Sequence, residues 1–259
     1  MLRVGIVGMP NVGKSTFFNA LTKRQVPTES YPFCTVDPNS AIVSIPDKKL
    51  ERLAIATNNP KLMPAVIEFW DIAGLVRNAN EGAGLGDQFL HNIRTTDCIL
   101  HVVRSFDRDD VPHVENSVDP LRDVQIIEKE LVMADINLAD KHRIAAKALA
   151  RVSKDKEVHL LYGALEKVWR AMRDNAQMAR KVSLDEKERQ ALKPYNLLTF
   201  KPTLVVVNVS EKDDRTKAEW SQVLNGRKAL PLCVKAEEEL SRIQDPSENT
   251  EIRNALGLK

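Results

Sequence analysis

Gly8-Met9-Pro10-Asn11-Val12-Gly13-Lys14-Ser15 has the form G-x-x-x-x-G-K-[ST]. The pattern alone is short enough to arise by chance, but its flanks fit it. Leu2 to Val7 is apolar nearly throughout and reads as a buried strand; Thr16 to Thr22 reads as a helix. A glycine loop between strand and helix gathers backbone N–H groups around a phosphate chain, and the helix N-terminus adds its dipole. In that setting Lys14 supplies a point charge to the β/γ oxygens, and the Ser15 hydroxyl is a ligand for Mg²⁺.

Outward from this segment, further apolar runs predict strands at Ala41 to Ile45, Ala65 to Trp70, Cys98 to Val103, Thr203 to Val207 and Leu230 to Val234. Those at 98–103 and 203–207, like 2–7, are apolar almost without interruption, as strands covered on both faces of a parallel sheet must be. The fold class expected is α/β: a three-layer P-loop domain with a mostly parallel sheet. Seven of the ten glycines precede residue 87, and the pattern then changes. Ile127, Leu131, Ala134, Leu138, Ala145, Leu149 and Val152 recur at three- and four-residue steps, predicting one long helix. Val158, Leu161, Leu165, Val168 and Met172 predict a second, paired antiparallel with the first as a hairpin. Ser183-Leu184-Asp185-Glu186 has the form of a capping box opening a short third helix that Pro194 closes. The expected organisation is a first part of the nucleotide domain at 1–124, a helical coiled-coil insertion at 125–198, the second part of the domain at 199–244 and a tail at 245–259.

Other residues extend the site. Asp71-Ile72-Ala73-Gly74 follows a predicted strand, where a P-loop protein needs a carboxylate near Mg²⁺ and a flexible N–H for the γ-phosphate. Asp71 would hold the metal through water, and Gly74 would sense the γ-phosphate. Thr35, in Tyr31-Pro32-Phe33-Cys34-Thr35, would bring a second hydroxyl to the metal. Asn208-Val209-Ser210-Glu211 stands where guanine readers carry Asn-Lys-x-Asp; Val for Lys and Glu for Asp weaken guanine discrimination, because a pocket built for one base leaves buried groups unpaired with another. Backbone carbonyls around Val209 and the loop Cys233-Val234-Lys235 would then read adenine, with a degenerate guanine site as the alternative. Leu75 occupies the position at which many GTPases place the glutamine that orients water, so unaided hydrolysis is expected to be slow. His101 is the candidate for a polar replacement, against the more ordinary role of a satisfied core histidine. Gly82-Ala83-Gly84-Leu85-Gly86 opens no βαβ unit and reads as a switch loop, not a dinucleotide fingerprint.

Composition narrows the class. Lys plus Arg number 38 against 36 Asp plus Glu, so net charge gives no argument for a nucleic-acid or membrane partner, and no sequence-specific DNA binding is expected. Three scattered cysteines fit neither a disulfide framework nor a zinc site and point to a reducing compartment. With no apolar stretch long enough to span a bilayer, a cytoplasmic protein is expected.

On the stretches at 8–16, 31–35, 71–75 and 208–211, together with Asp119-Pro120-Leu121-Arg122-Asp123, the chain resembles the YchF, or Obg-like ATPase, family of P-loop NTPases. The resemblance runs from Arg3 to about residue 244. It implies a G-domain fold with a coiled-coil insertion, ATP preferred over GTP, modest ATPase activity and association with ribosomes or translation factors. It also implies phosphate contacts from Asn11, Val12, Gly13, Lys14, Ser15 and Thr16, metal contacts from Ser15 and Thr35, and adenine at Val209; the two loops themselves add Asn208, Glu211 and Val234 to the expected base site. Members of the family continue into a C-terminal TGS domain, most or all of which is expected to fall outside these 259 residues. The leading expectation is an ATP-driven switch; an Obg-type GTPase and a binding module with incidental hydrolysis are the alternatives.

Overall fold

The computed structural model describes residues 1–22, 39–59, 62–72, 85–108, 111–243 and 245–255. Within them, six strands form one sheet: β1 (Leu2–Val7), β2 (Ser40–Ser44), β3 (Val66–Asp71), β4 (Cys98–Arg104), β5 (Thr203–Asn208) and β6 (Ala229–Leu232), in the order β2-β3-β1-β4-β5-β6. All neighbouring pairs are parallel except β2 with β3. The helices are α1 (Lys14–Thr22), α2 (Lys48–Ala56), α3 (Leu85–Arg94), α4 (Pro120–Val152), α5 (Lys156–Asn175), α6 (Glu186–Leu192), α7 (Lys217–Val223), α8 (Val234–Leu240) and α9 (Pro246–Ala255). The predicted strands are all present, with shifts of one or two residues at their ends, and so are the two long helices, the first of which begins at Pro120, five residues before the expected start of the insertion.

Alternation along β5 shows the three layers. Val205 and Val207 pack with Val124 of α4 and Trp220 of α7. Val206, pointing the other way, belongs to the core that contains Phe17 of α1 and Val234 of α8. Each central strand is therefore apolar on both faces, which is why the sequence shows runs there and not alternation.

Asp119 starts α4 by accepting the Arg122 N–H at 3.0 Å, and Pro120, whose missing N–H costs nothing in the first turn, follows it. The helix has 33 residues, about 50 Å at 1.5 Å per residue. Its first half lies on the sheet through Val124, Ile127, Leu131 and Ala134. Farther on, Val132, Ala139 and Ala146, seven residues apart, pack against Ala164, Leu165, Val168 and Met172 of α5. The predicted seam is thus corrected in its distal half: Ala145, Leu149 and Val152 lie on the solvent side. The capping box is corrected too, from Ser183 with Glu186 to Asp185 with Glu188. The Glu188 N–H donates to Asp185 at 2.8 Å, and the Glu188 carboxylate accepts the Asp185 N–H at 2.9 Å.

The helical block is fastened to the sheet at Asp135, which is fully buried on α4. Its carboxylate accepts the N–H groups of Leu198 (3.0 Å) and Thr199 (2.7 Å), the Thr199 hydroxyl (2.7 Å) and the Arg94 guanidinium of α3 (3.3 Å). Lys201 closes the same corner by donating to the carbonyls of Arg94 (3.1 Å) and Thr96. Asp135→Ala strands two buried N–H groups and a half-sheltered guanidinium, so it is expected to cost about 3–5 kcal/mol. Urea unfolding checks this, as a lower midpoint at unchanged slope.

Candidate nucleotide-binding site

The P-loop leaves β1 at Val7 and enters α1 at Lys14. Two of its glycines are required by close approach. Gly8 lies against the Val102 carbonyl of β4, into which a β-carbon would run. Gly13, at φ +98°, lies against the Asn208 side chain, and a β-carbon there would meet its nitrogen. Asn11 holds φ +62°, a left-handed conformation that asparagine tolerates better than most residues. The Phe17 N–H to Gly13 carbonyl bond, 2.9 Å, closes the first turn of α1.

Lys14 is buried, and its ammonium donates to the Met9 carbonyl at 2.7 Å, spanning the loop. Burial pushes its pKa down, and the Asp71 carboxylate pulls it back up. Asp71 ends β3, the strand beside β1, and is half-buried. Its own pKa is raised by burial and lowered by Lys14 and by a hydrogen bond from the Ser15 hydroxyl. An ammonium, a hydroxyl and a carboxylate therefore converge at the N-terminus of α1. Hard oxygen donors of this kind fit Mg²⁺, which takes one or two protein ligands and fills its octahedron with phosphate oxygens and water. Among the described residues no group of three or more His, Cys, Asp or Glu forms a self-sufficient metal cage.

Asn208 is buried and uses both ends of its amide inside the protein. Its Nδ2 donates to the Val12 carbonyl at 2.9 Å, and its Oδ1 accepts the Val234 N–H at 3.2 Å. The side chain thus supports the P-loop from beneath, and its second N–H is not used in these two bonds. Val209 turns its side chain into the core with Trp220 and Cys233, and its N–H donates to Leu232 at 3.1 Å. Val234 is buried at the start of α8, with its N–H spent on Asn208. Glu211 is exposed on the loop after β5 and raises the pKa of the Cys233 thiol, after burial, which is the larger cause. Thr16 lies on the first turn of α1. Thr35, Gly74 and Leu75, with Cys34 and the glycines at 82 and 84, lie outside the described residues.

His101 is corrected to a core residue. It sits in β4 between Val7 and Val205, 1% exposed, with Nε2 unpartnered. Burial pushes its pKa down to about 4; Glu128 pulls it up, and Lys14 and Arg227 push it down. It is neutral at pH 7 and shut away from water.

A loop beside the P-loop escaped sequence reasoning. Buried Arg104 donates to the carbonyls of Phe106 and Val111, both at 2.8 Å, and Asn11 Nδ2 donates to the Pro112 carbonyl at 3.2 Å. The next residue, His113, accepts the Glu115 N–H at Nδ1 (3.1 Å), which puts its proton on Nε2, donated to Asp123 of α4 at 2.8 Å. Arg122 completes the cluster on Asp123 at 3.0 Å. These partners lie in separate segments and obey no short motif; the one local signal is the capping Asp119-Pro120.

A central-strand glycine loop, a lysine at the N-terminus of the following helix and a carboxylate ending the adjacent strand define a P-loop nucleotide-hydrolase domain. The family described as 50S ribosome-binding GTPase matches residues 3–146. The ribosome-binding ATPase YchF of Haemophilus influenzae is 42% identical over 264 residues, covering 99% of this chain and 71% of that protein. The protein of the same name from Bacillus subtilis is 40% identical over 251 residues, covering 94% and 68%. The structure of the Schizosaccharomyces pombe YchF GTPase superposes with a TM-score of 0.83 at 34% identity, covering all of this chain and 72% of that one. The chain belongs to the YchF family.

Asn208→Ala is expected to leave the Val12 carbonyl and the Val234 N–H buried and unpaired, at about 1–3 kcal/mol each. Nucleotide affinity should fall at least tenfold as the P-loop loosens. Asn208→Asp should not restore it, because a carboxylate would face the Val12 carbonyl. Urea unfolding and a fluorescent-nucleotide titration read the two effects.

Proposed function

We propose that this protein is an ATP-binding and ATP-hydrolysing molecular switch that works on the ribosome in the cytoplasm. The observation that carries the hydrolase part is the convergence of Lys14, Ser15 and Asp71 on the anion-attracting N-terminus of α1. The ribosome part is supported by what the matched family and the relatives are named for. No helix among the described residues is long and apolar enough to cross a membrane.

In this reading Asn11 to Thr16 wrap the phosphates, with backbone N–H groups positioned by the glycines and Lys14 on the β/γ oxygens. Ser15, Asp71 and Thr35 would hold Mg²⁺, which would neutralise charge on the phosphoryl oxygens. Gly74 senses the γ-phosphate, and the hydrophobic Leu75 leaves intrinsic turnover slow. Residues 1–124 and 199–244 form the nucleotide domain, and 125–198 form the helical insertion that reports its state.

Adenine is preferred because the position of the guanine readers' lysine is Val209, whose side chain is committed to the core, and because Glu211 is one methylene longer than the aspartate that reads guanine. The Val209 carbonyl remains to accept from the adenine amino group. A fluorescent nucleotide bound with Mg²⁺ should be displaced at least tenfold better by ATP than by GTP, about 1.4 kcal/mol, and Lys14→Ala should abolish the signal. GTP winning would make this an Obg-type GTPase. ATP turnover should rise when 70S ribosomes are added; flat, near-zero turnover with and without them would leave a binding module.

A further inference from the structure

The distal end of the helical hairpin carries a surface that packing does not explain. Between Lys141 and Glu157 six cations stand against two acids, a surplus of four in a chain whose net charge is +2. Of the six, Arg143 is folded inward: it pairs with Asp140 at 2.5 Å and Glu166 at 3.2 Å and lies over the Trp169 ring. Lys141, Lys147, Arg151, Lys154 and Lys156 are exposed, and none makes an ion pair among the described residues. Of the two acids, Asp155 is occupied locally, capping α5 by accepting the Glu157 N–H at 2.9 Å.

Interleaved with these cations are aliphatic side chains in water. Ile144 is 57% exposed, Leu149 58% and Val152 84%. On the helix surface three neighbouring stripes run at four-residue steps: Lys147 and Arg151, then Ile144, Ala148 and Val152, then Lys141, Ala145 and Leu149. The seam toward α5 uses Ala139 and Ala146, so these stripes are left over from folding. Small alanines between long cations let a helix backbone come close to a flat partner while the cations reach sideways, over about 15 Å from Lys141 to Arg151.

We propose that the hairpin tip, from Lys141 to Lys156, is an RNA-docking surface, and that its partner on the ribosome is a segment of large-subunit RNA backbone and groove. The inference deepens the ribosome reading above and rests on it. The charge selects a polyanion, and RNA helices present phosphates beside a wide, shallow minor groove that small and aliphatic side chains can cover. A membrane surface fits less well: interfacial helices lay a long apolar face into the lipid, whereas here three large aliphatics span two turns and the opposite face is taken by α5.

The test is the triple charge reversal Lys147→Glu/Arg151→Glu/Lys154→Glu in the whole protein, with Leu149→Ala/Val152→Ala as a second variant that keeps the charge. Binding is measured by co-sedimentation with purified 50S subunits and by titration with deproteinised large-subunit RNA, across a salt series. ATP turnover without ribosomes and the circular dichroism spectrum are recorded as controls of fold. Wild type should bind both probes. The triple variant should bind each at least tenfold more weakly, with a log–log salt slope shallower by about one per phosphate contact removed, and with unchanged isolated turnover. The aliphatic variant should lose a few-fold with no change in slope. If wild type and the triple variant bind subunits equally, the tip is not the docking surface, although the ribosome reading stands. Wild type binding subunits but not naked RNA would overturn the RNA partner in favour of an acidic protein. Tighter binding to vesicles of 30% phosphatidylserine than to RNA would overturn it in favour of a membrane. If wild type binds none of the probes, the ribosome reading fails with it.

Discussion

The site depends on one buried amide. Asn208 ends β5 and spends both polar ends inside the protein, donating to the Val12 carbonyl of the P-loop and accepting the Val234 N–H that begins α8. One segment from the beginning of the chain and two from its last fifth meet there, and the fit is close enough that Gly13 has no room for a β-carbon. Gly8 is held the same way, against a carbonyl of β4. The P-loop is therefore shaped by its neighbours in the sheet as much as by its own glycines. The sheet order explains why these neighbours are available: β1 lies between β3 on one side and β4 on the other, and the chain passes from one side to the other at the carboxyl ends of the strands. A crevice opens at such a reversal in open α/β sheets.

The electrostatics follow from that placement. Burial disfavours the charge on both Lys14 and Asp71, and each restores part of the other's. A site of this kind responds strongly to charge brought into it. Phosphate would favour the ammonium and a divalent cation the carboxylate, so under the proposed function each ligand would favour the charge state that the other needs. His101 behaves differently because it has no such partner at bonding distance and sits on both-sided sheet interior, where staying neutral is the cheaper state.

What was legible in the sequence was local. The glycine loop, the apolar strands and the three- and four-residue periodicity of the hairpin each express a rule within ten or so residues, and each produced the expected element. What was illegible depended on partners far away in the chain. Leu149 and Val152 continue the periodicity of α4, but a straight helix drifts against a seven-residue repeat, so a stripe that starts on the sheet rotates out of contact before it reaches the tip. Ser183 and Asp185 both offered a cap, and backbone geometry chose the second. Asn208 belongs to a recognisable loop, yet its hold on the P-loop and on α8 was not readable there, because a motif names residue types without saying which way an amide points. Arg104 and His113 follow no short pattern at all; their partners are carbonyls and carboxylates set by the fold.

The length of α4 gives these local arrangements a common frame. Near its start, Asp123 holds His113 and so the loop that touches Asn11. At its midpoint, Asp135 holds Arg94 at the end of α3, the helix that precedes β4 and follows the stretch beyond Asp71. Its far end is in water. A continuous helix with packed seams on two sides moves as a rigid body, and a buried carboxylate cannot give up its cation and N–H partners without a cost of several kcal/mol. Any displacement of α3 relative to the sheet must therefore either carry the root of the hairpin with it or break the Asp135 cluster. Rotation by a few degrees about that root becomes a displacement of ångströms at the tip, because the lever is tens of ångströms long.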